Sequence, residues 1–489
     1  MPAFLDPLPW LILLPLFWAT LAFLFGPRAG APLGLATALA QLPLAWLLAT
    51  EIARDGPRRY AIGGWGAPLG IELAADGLTA FMLLLAAAVT LAIMFYARSY
   101  FAASPRLATG FWPLAGFLVA ALNALFLAAD IFNLYVTLEL LGLAAVALVA
   151  INGDAAAVTA ALRYLLATLL GSGAYLMGVA LLYGTYGTVS LELLGEWVQP
   201  LPVTQLAAGL MVLGMLLKTA LFPFHVWLPP AHGGATPPVS ALLSALVIKA
   251  SFYLLLRLWF GPFQELVTPM AAQALGWLGV AAILWGSLRA LTQTRLKMLV
   301  AYSTVAQAGY LFLLFPLATA TTPDVARLAI EGGVYQIAAH ALAKAAMFAA
   351  AGAMVLAMGR DEIAGLHGAG ARLSLSLTAF TLAGMTLMGL PPTGGFIAKW
   401  LLLQAALASG QWWWIVALIV GGLLAAAYVF KVLRQPFPPA AAADPVLRSP
   451  PLTLELAALV LASGALLLGL WAEKPLALLD AGRLWEARP

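Results

Sequence analysis

Four lysines and one glutamate stand in apolar stretches of this sequence, where ionisable side chains are rare. The lysines are Lys218, Lys249, Lys344 and Lys399, and Glu139 lies in the run NLYVTLELLGLAAVALVAI, which holds no countercharge. A charge near the centre of a membrane helix costs about 2.5–3.5 kcal/mol on insertion scales. Burial disfavours a charged amine and a nearby carboxylate favours it. A Glu–Lys contact that forms and breaks could switch a lysine between holding and releasing a proton, so the pattern predicts a proton relay.

Simpler explanations exist for a single membrane lysine. Its stem can lie along the helix while the amine reaches the headgroups, or its amine can serve a purely structural role. Lys249 follows SALLSALVI, and Lys344 lies between AAHALA and AAMFAAA, which places both near the middle of a helix. His340 precedes Lys344 by four residues and shares its helix face. Five ionisable residues buried together favour a relay over five separate structural roles.

Two proline-containing segments interrupt apolar runs next to these lysines. Residues 218–232 read KTALFPFHVWLPPAH, and residues 389–400 read GLPPTGGFIAKW. Proline removes a backbone donor and clashes with the preceding turn, so each segment predicts a broken helix, with a simple proline kink as the alternative. The prolines expected at the breaks are Pro223, Pro229, Pro391 and Pro392. Backbone groups freed at membrane depth favour a polar cavity beside each break.

The elements that must position these residues are membrane helices. The chain has 489 residues, of which 63% are hydrophobic and 9% charged, which excludes a sizeable soluble domain. Without cysteine, the chain itself can hold no disulfide, thiolate metal site or iron–sulfur cluster. Apolar runs predict fourteen spans, beginning near Pro9, Gly30, Asp76, Gly110, Phe132, Ala160, Leu206, Thr236, Gln273, Arg295, Gly332, Ser374, Gln411 and Leu452.

Basic residues in the loops predict the orientation. Twelve lie in the odd-numbered loops: Arg28, Arg98, Arg106, Arg163, Arg289, Arg295, Lys297, Arg360, Arg372, Lys431, Arg434 and Arg448. Eight lie at the termini and in the even-numbered loops: Arg54, Arg58, Arg59, Arg257, Arg327, Lys474, Arg483 and Arg488. The positive-inside rule therefore places both termini outside. The four remaining basic residues are the buried lysines.

The two breaks fall in the seventh and twelfth spans, five spans apart. Interrupted helices at corresponding positions indicate a repeated transporter architecture. We expect helices 1–3 in residues 1–109, a first five-helix repeat in 110–260, a second in 273–435, and a last helix with a short tail in 450–489. The sequence alone does not establish that the repeats are inverted.

Several long motifs resemble one known family in order. They are DIFNLYVTLELL, KTALFPFHVWLPPAHGGATPPVSALLSALVIKASFYLL, RLKMLVAYSTVAQAGYLFL, HALAKAAMFAAAG and GLPPTGGFIAKWLL. The chain resembles the antiporter-like membrane subunits shared by Mrp-type sodium/proton antiporters, respiratory complex I and membrane-bound hydrogenases. The resemblance implies an all-α polytopic protein of about fourteen helices, with two inverted five-helix repeats and a polar axis at mid-membrane.

The resemblance also implies roles for individual residues. Glu139 and Lys218 match the paired glutamate and lysine of the fifth and seventh helices, and Lys249 matches the central lysine of the eighth. His340 and Lys344 match the linking region of the eleventh helix. Lys399 matches the twelfth-helix residue that faces the exit or the next subunit. His225 and His232, beside the first break, resemble contributors to the path by which protons enter, although they could instead cap the broken helix.

Within the family, DIFNLYVTLE and the length are most similar to the Mrp D subunit, whereas HALAKA is more similar to complex I and hydrogenase relatives. The expected function is therefore proton translocation in a D-like subunit of a cation/proton antiporter. The alternatives are a subunit of a redox-driven pump, related to NADH:quinone oxidoreductases, or the membrane partner of an inorganic-carbon uptake complex. Other membrane subunits, lipid and protons are the expected partners, with sodium left open, in a bacterial or archaeal inner membrane.

Three other function classes fit less well. A redox enzyme would need cofactor motifs, and neither a dinucleotide-binding pattern nor a metal-ligand cluster occurs, so we expect no cofactor, no metal and no catalytic chemistry in this chain. A structural scaffold could join its helices with uncharged Ser, Thr and Asn at lower cost. A transporter of organic solutes would need groups that bind the solute. No basic patch suggests nucleic acid.

Overall fold

The computed structural model describes residues 6–437 and 449–481. Arg448, Arg483 and Arg488, which belong to the orientation count, and the end of the predicted tail lie outside these residues. The helices are α1 Pro7–Phe25, α2 Pro27–Asp55, α3 Gly77–Tyr100, α4 Pro105–Leu127, α5 Ile131–Val149, α6 Ala155–Tyr186, α7 Leu191–Trp197, α8 Pro202–Lys218, α9 Leu228–Gly234, α10 Pro237–Leu242, α11 Ile248–Trp259, α12 Pro269–Thr292, α13 Leu296–Phe312, α14 Leu314–Ala318, α15 Pro323–Met358, α16 Ser374–Met388, α17 Gly394–Ala408, α18 Trp413–Leu433, α19 Leu452–Leu470 and α20 Glu473–Leu479.

The mostly helical, polytopic membrane architecture is confirmed. Twelve helical segments of the described chain are long and apolar enough to cross a membrane. The predicted count of fourteen is not confirmed, because the seventh and twelfth spans are divided into helices of 15 to 17 residues: α8, α16 and α17. It stays a prediction that these short helices cross the bilayer as parts of broken spans. It also stays a prediction that the repeats are inverted.

The structure contains a small β-hairpin, which the all-helical prediction does not include. Strands β1 Arg58–Ala61 and β2 Glu72–Ala75 pair antiparallel in the segment between α2 and α3. Arg59 bridges Glu72 and Glu192, with an Nη1–Oε2 distance of 2.5 Å to the latter. These exposed pairs connect the hairpin to α7 and contribute little individually to stability.

Helix α15 forms the centre of the molecule. Its 36 residues make it about 50 Å long. It contacts α3, α10, α13, α16, α17 and α19, and most of its residues are buried. The segment from α10 to α11 is also buried over most of its length. Lys249, His340 and Lys344 on these elements are buried and therefore face protein and not lipid.

Two local features hold the helices around this centre. At the start of α3, the carboxylate of Asp76 accepts from the Thr79 backbone N–H and pairs with both terminal nitrogens of Arg257 on α11, at 2.5 Å. Between α6 and α8, Gly171 and Gly214 meet backbone to backbone, and a Cβ on Gly214 would stand 2.4 Å from the Gly171 carbonyl oxygen. Only glycine permits that separation, which lets α6 and α8 approach closely next to the first break.

Candidate polar axis through the membrane helices

Glu139 and Lys218 form an ion pair where α8 ends. The Lys218 amine lies 2.8 Å from the Glu139 carboxylate, and the Ser172 hydroxyl of α6 donates to the same oxygen. The side chain of Lys218 is 5% exposed and that of Glu139 is 19% exposed. The partner expected for Glu139 is therefore present, and the pair lies at the edge of the protein interior.

The first break follows Lys218, the last residue of α8. Ala220 takes a left-handed conformation, with φ of 54°, which turns the chain out of the helix. Trp227 then donates its indole N–H to the Leu217 carbonyl, 3.0 Å away, so one freed carbonyl is satisfied by protein. Pro223 lies inside the break. Pro229 does not: it stands in the first turn of α9, where a missing backbone donor costs nothing, so it begins the second half.

The second break has a similar construction. Helix α16 ends at Met388, Gly389 follows with φ of 83°, and Pro391 and Pro392 occupy the non-helical connection to α17. Thr393 caps α17 by accepting from the Phe396 N–H at 3.3 Å. Both predicted interruptions are therefore present as helix ends followed by non-helical residues.

Lys249 is fully buried and follows an unpredicted irregularity. Residues Leu243–Val247 form a turn of π-helix between α10 and α11, and the Lys249 amine donates to the Ser244 carbonyl. The Ser244 hydroxyl contacts the Thr304 hydroxyl of α13 at 2.9 Å. A widened turn often marks a functional site, and here it supplies an acceptor for a buried amine.

Hydroxyl groups lie in the segments on both sides of Lys249. On the side of the first break, Thr219 donates to Ser251 at 3.2 Å, and these two residues lie close in the chain to Lys218 and Lys249. On the other side, Ser303 is adjacent to Thr304 and accepts from the Lys344 amine at 2.7 Å. Of these four hydroxyls, Ser303 alone is shown in contact with a lysine amine, and Thr219 and Ser251 lie near Lys218 and Lys249 in the chain.

His340, Lys344 and Gln336 form a stripe on α15. The spacing of four residues places them on one helix face. Both ring nitrogens of His340 are buried without a hydrogen-bond partner among the described residues. Gln336 donates to Gln307 of α13 at 3.1 Å. The His340 ring can therefore exchange a proton without breaking a hydrogen bond to another described residue, which suits a relay group.

Lys399 completes the row beyond the second break. Its amine donates to the Leu387 carbonyl at 2.7 Å and to the Met388 carbonyl at 3.2 Å. The Gln307 amide donates to the same Leu387 carbonyl at 3.2 Å. Gln307 therefore lies between the polar face of α15 and the carbonyls that hold Lys399, while the order of a relay from Glu139 to Lys399 stays a prediction.

The two histidines of the first break have different surroundings. His225 accepts from the Trp285 indole N–H at 3.0 Å and lies against α12. His232 is buried between the rings of Trp227 and Phe348, and its Nδ1 has no partner within the described residues. His232 therefore faces the interior, whereas His225 is turned towards α12. Their role in proton entrance stays a prediction.

The loop position predicted for Lys297 is wrong. Lys297 lies in the first turn of α13, is buried, and donates its amine to the Ala235 carbonyl between α9 and α10. Its proximity to Arg295 in sequence makes it resemble a loop residue. The hydroxyls and amides of Ser303, Thr304 and Gln307 are also missing from the prediction, although their spacing in AYSTVAQAG marks one polar face of an apolar helix.

Comparisons with known proteins agree with this arrangement. The sequence model described as NADH:quinone oxidoreductase/Mrp antiporter, TM matches residues 128–425, which contain both breaks and all four lysines. The chain belongs to this family. The N subunit of the NADH-quinone oxidoreductase of Desulforudis audaxviator is 36% identical over 95% of each chain. The D subunit of the Na⁺/H⁺ antiporter of Alkalihalophilus pseudofirmus is 30% identical over 73% of this chain and 72% of that protein.

A solved structure shows the same fold. A chain of the Mrp complex from Dietzia sp. superposes with a TM-score of 0.89 at 24% identity, covering 99% of this chain and 98% of that one. The protein is an antiporter-like membrane subunit of an Mrp-type or complex I-type assembly, and its partners include other membrane subunits. The family expected from the motifs is confirmed, whereas specific membership among the Mrp D subunits is not.

Proposed function

We propose that this chain translocates protons along the row from Glu139 and Lys218, through Lys249 and the His340–Lys344 face, to Lys399. The observation that carries the proposal is Lys249, an amine that is fully buried in the most enclosed of the described spans and donates to the Ser244 carbonyl. A purely structural amine at that depth would cost insertion energy that an uncharged side chain would avoid.

Each part of the row has a role that its chemistry supports. Glu139 stabilises the charged form of Lys218, and separating the two removes that stabilisation. A released proton passes through water and the hydroxyls of Thr219 and Ser251 towards Lys249. It continues by the hydroxyls of α13 to Lys344 and the His340 ring, and then to Lys399.

Substitution of Lys249 by methionine tests the function. Methionine has a similar volume and no charge, so Lys249→Met should leave folding intact and should reduce proton transport at least about tenfold. Transport would be measured as dye-detected acidification in proteoliposomes that contain the purified complex. Lys474→Met, at an exposed position on α20, is the matched control. An assembled Lys249→Met complex with normal transport would contradict the relay.

Within this function, we propose a D-like subunit of a cation/proton antiporter, supported by the 30% identity with an antiporter D subunit. A subunit of a redox-driven pump is the second candidate, favoured by the 36% identity with an oxidoreductase N subunit over nearly the whole chain. Identification of the copurifying chains separates the two, because only the second requires partners with redox cofactors. Both termini outside the inner membrane remain our proposed topology, and single cysteines introduced into this cysteine-free chain would test it by labelling.

A further inference from the structure

Lys399 is held differently from Lys218. Its amine lies 4.3 Å from the centroid of the Tyr310 ring and donates to the carbonyls of Leu387 and Met388. The ion pairs within the described part of the chain do not include Lys399. All the described groups that hold this amine are thus uncharged, whereas the partner of Lys218 is a carboxylate.

The space around this contact is provided by two glycines. A Cβ on Gly389 would stand 2.6 Å from Lys399 Cδ, and a Cβ on Gly421 would stand 2.1 Å from the Tyr310 hydroxyl oxygen. The Tyr310 hydroxyl is buried without a hydrogen-bond partner among the described residues. Its position is therefore set by packing around the ring, and the ring face is the part of Tyr310 that serves Lys399.

We propose that Tyr310 is a positioning residue for proton transfer at Lys399, holding the charged amine against the Leu387 and Met388 carbonyls through a cation–π contact. The inference rests on the proton-translocating function proposed above. The face of an aromatic ring attracts an ammonium group electrostatically and has no such attraction for a neutral amine. Loss of the proton to water therefore frees the amine from the ring and leaves no unpaired buried carboxylate behind.

Two substitutions separate the ring from the hydroxyl. Tyr310→Phe keeps the ring, and we expect proton transport within about twofold of the unsubstituted complex. Tyr310→Leu removes it, and since a desolvated cation–π contact corresponds to roughly a 30-fold change in an equilibrium, we expect transport to fall about 10- to 30-fold. Both would be measured in proteoliposomes, normalised to the amount of assembled complex.

Tyr96→Leu is the control for loss of a buried ring, because Tyr96 on α3 is fully buried and its hydroxyl donates to the Ala349 carbonyl at 3.1 Å and not to a relay lysine. Tyr310→Leu should also cause no further loss in a Lys399→Met background. Equal losses in Tyr310→Phe and Tyr310→Leu, or equal losses in Tyr310→Leu and Tyr96→Leu, would overturn the positioning role.

A different result would refute the proposed proton-translocating function itself. If Lys249→Met and Lys399→Met abolish transport while Tyr310→Leu retains it, only the role of Tyr310 is wrong. If Lys249→Met and Lys399→Met both transport protons normally in assembled complexes, the relay is wrong and the inference about Tyr310 falls with it.

Discussion

Neutralising Glu139 should destabilise the protein, and neutralising its partner as well should restore stability without restoring transport. Glu139→Gln leaves the Lys218 ammonium, which is 5% exposed, without a carboxylate. Breaking a buried ion pair costs about 3–5 kcal/mol. The glutamine oxygen can still accept a hydrogen bond and Glu139 is partly exposed, so we expect about 3 kcal/mol, at the lower end of that range.

The double variant Glu139→Gln with Lys218→Met has no charge left to bury. Replacing both members of a buried pair is often neutral, so most of the lost free energy of unfolding should return. The two sites contact each other directly and their effects should therefore be strongly non-additive. Lys218→Met alone leaves the carboxylate unpaired and should lie between the single Glu139 variant and the double variant.

The stability and the proton transport of these variants can be measured on the same preparations. Stability would be followed by SDS titration of the purified complex in mixed micelles, and transport by acidification of proteoliposomes. We expect transport to fall at least about tenfold in all three variants, because the switch is absent in each. If the double variant recovered transport together with stability, the pair would be a structural contact and the reasoning about Lys218 would be refuted.

Two further predictions concern the framework. Burial alone would raise the pKa of Asp76, but the charge of Arg257 holds it below its usual range. This pair should therefore stabilise the protein fully above about pH 4 and lose its contribution as the pH falls through the lowered pKa. The difference in unfolding free energy between the unsubstituted protein and Asp76→Asn should shrink in that acidic range, and a difference that grows instead would contradict the assignment. A Cβ on Gly352 would stand 2.3 Å from Pro237 Cβ, so Gly352→Ala should reduce the free energy of unfolding by about 1–3 kcal/mol. Gly209 faces open space, so Gly209→Ala should not reduce it. Equal melting behaviour of these two variants would show that the α10–α15 contact can relax.

The main features of the site were predictable because charge in an apolar span is a strong signal. The cost of a lone buried charge indicated that Glu139 needs a partner, the family resemblance identified Lys218 as that partner, and the two proline segments marked the breaks. Family membership followed from motif order. None of these inferences required knowledge of how the helices pack.

The remaining features depend on packing that the sequence does not display. Lys297 has the neighbours of a loop residue, and only the approach of α13 to the Ala235 carbonyl buries it. The π-helical turn before Lys249 lies in SALLSALVI, which reads as ordinary helix. Tyr310 resembles any core aromatic until Lys399, 89 positions later, is placed over its ring.

The helix ends at the two breaks give Lys218 and Lys399 a common property that their sequence positions conceal. One lysine precedes its prolines and the other follows them. Lys218 is the last residue of α8, and Lys399 reaches back from α17 to the last two carbonyls of α16. Each lysine therefore lies at the negative end of a half-helix dipole, equivalent to about half an elementary charge. This fixed field attracts a cation at both places independently of any titratable partner, so backbone geometry offsets part of the cost of burying a charge at either end of the row.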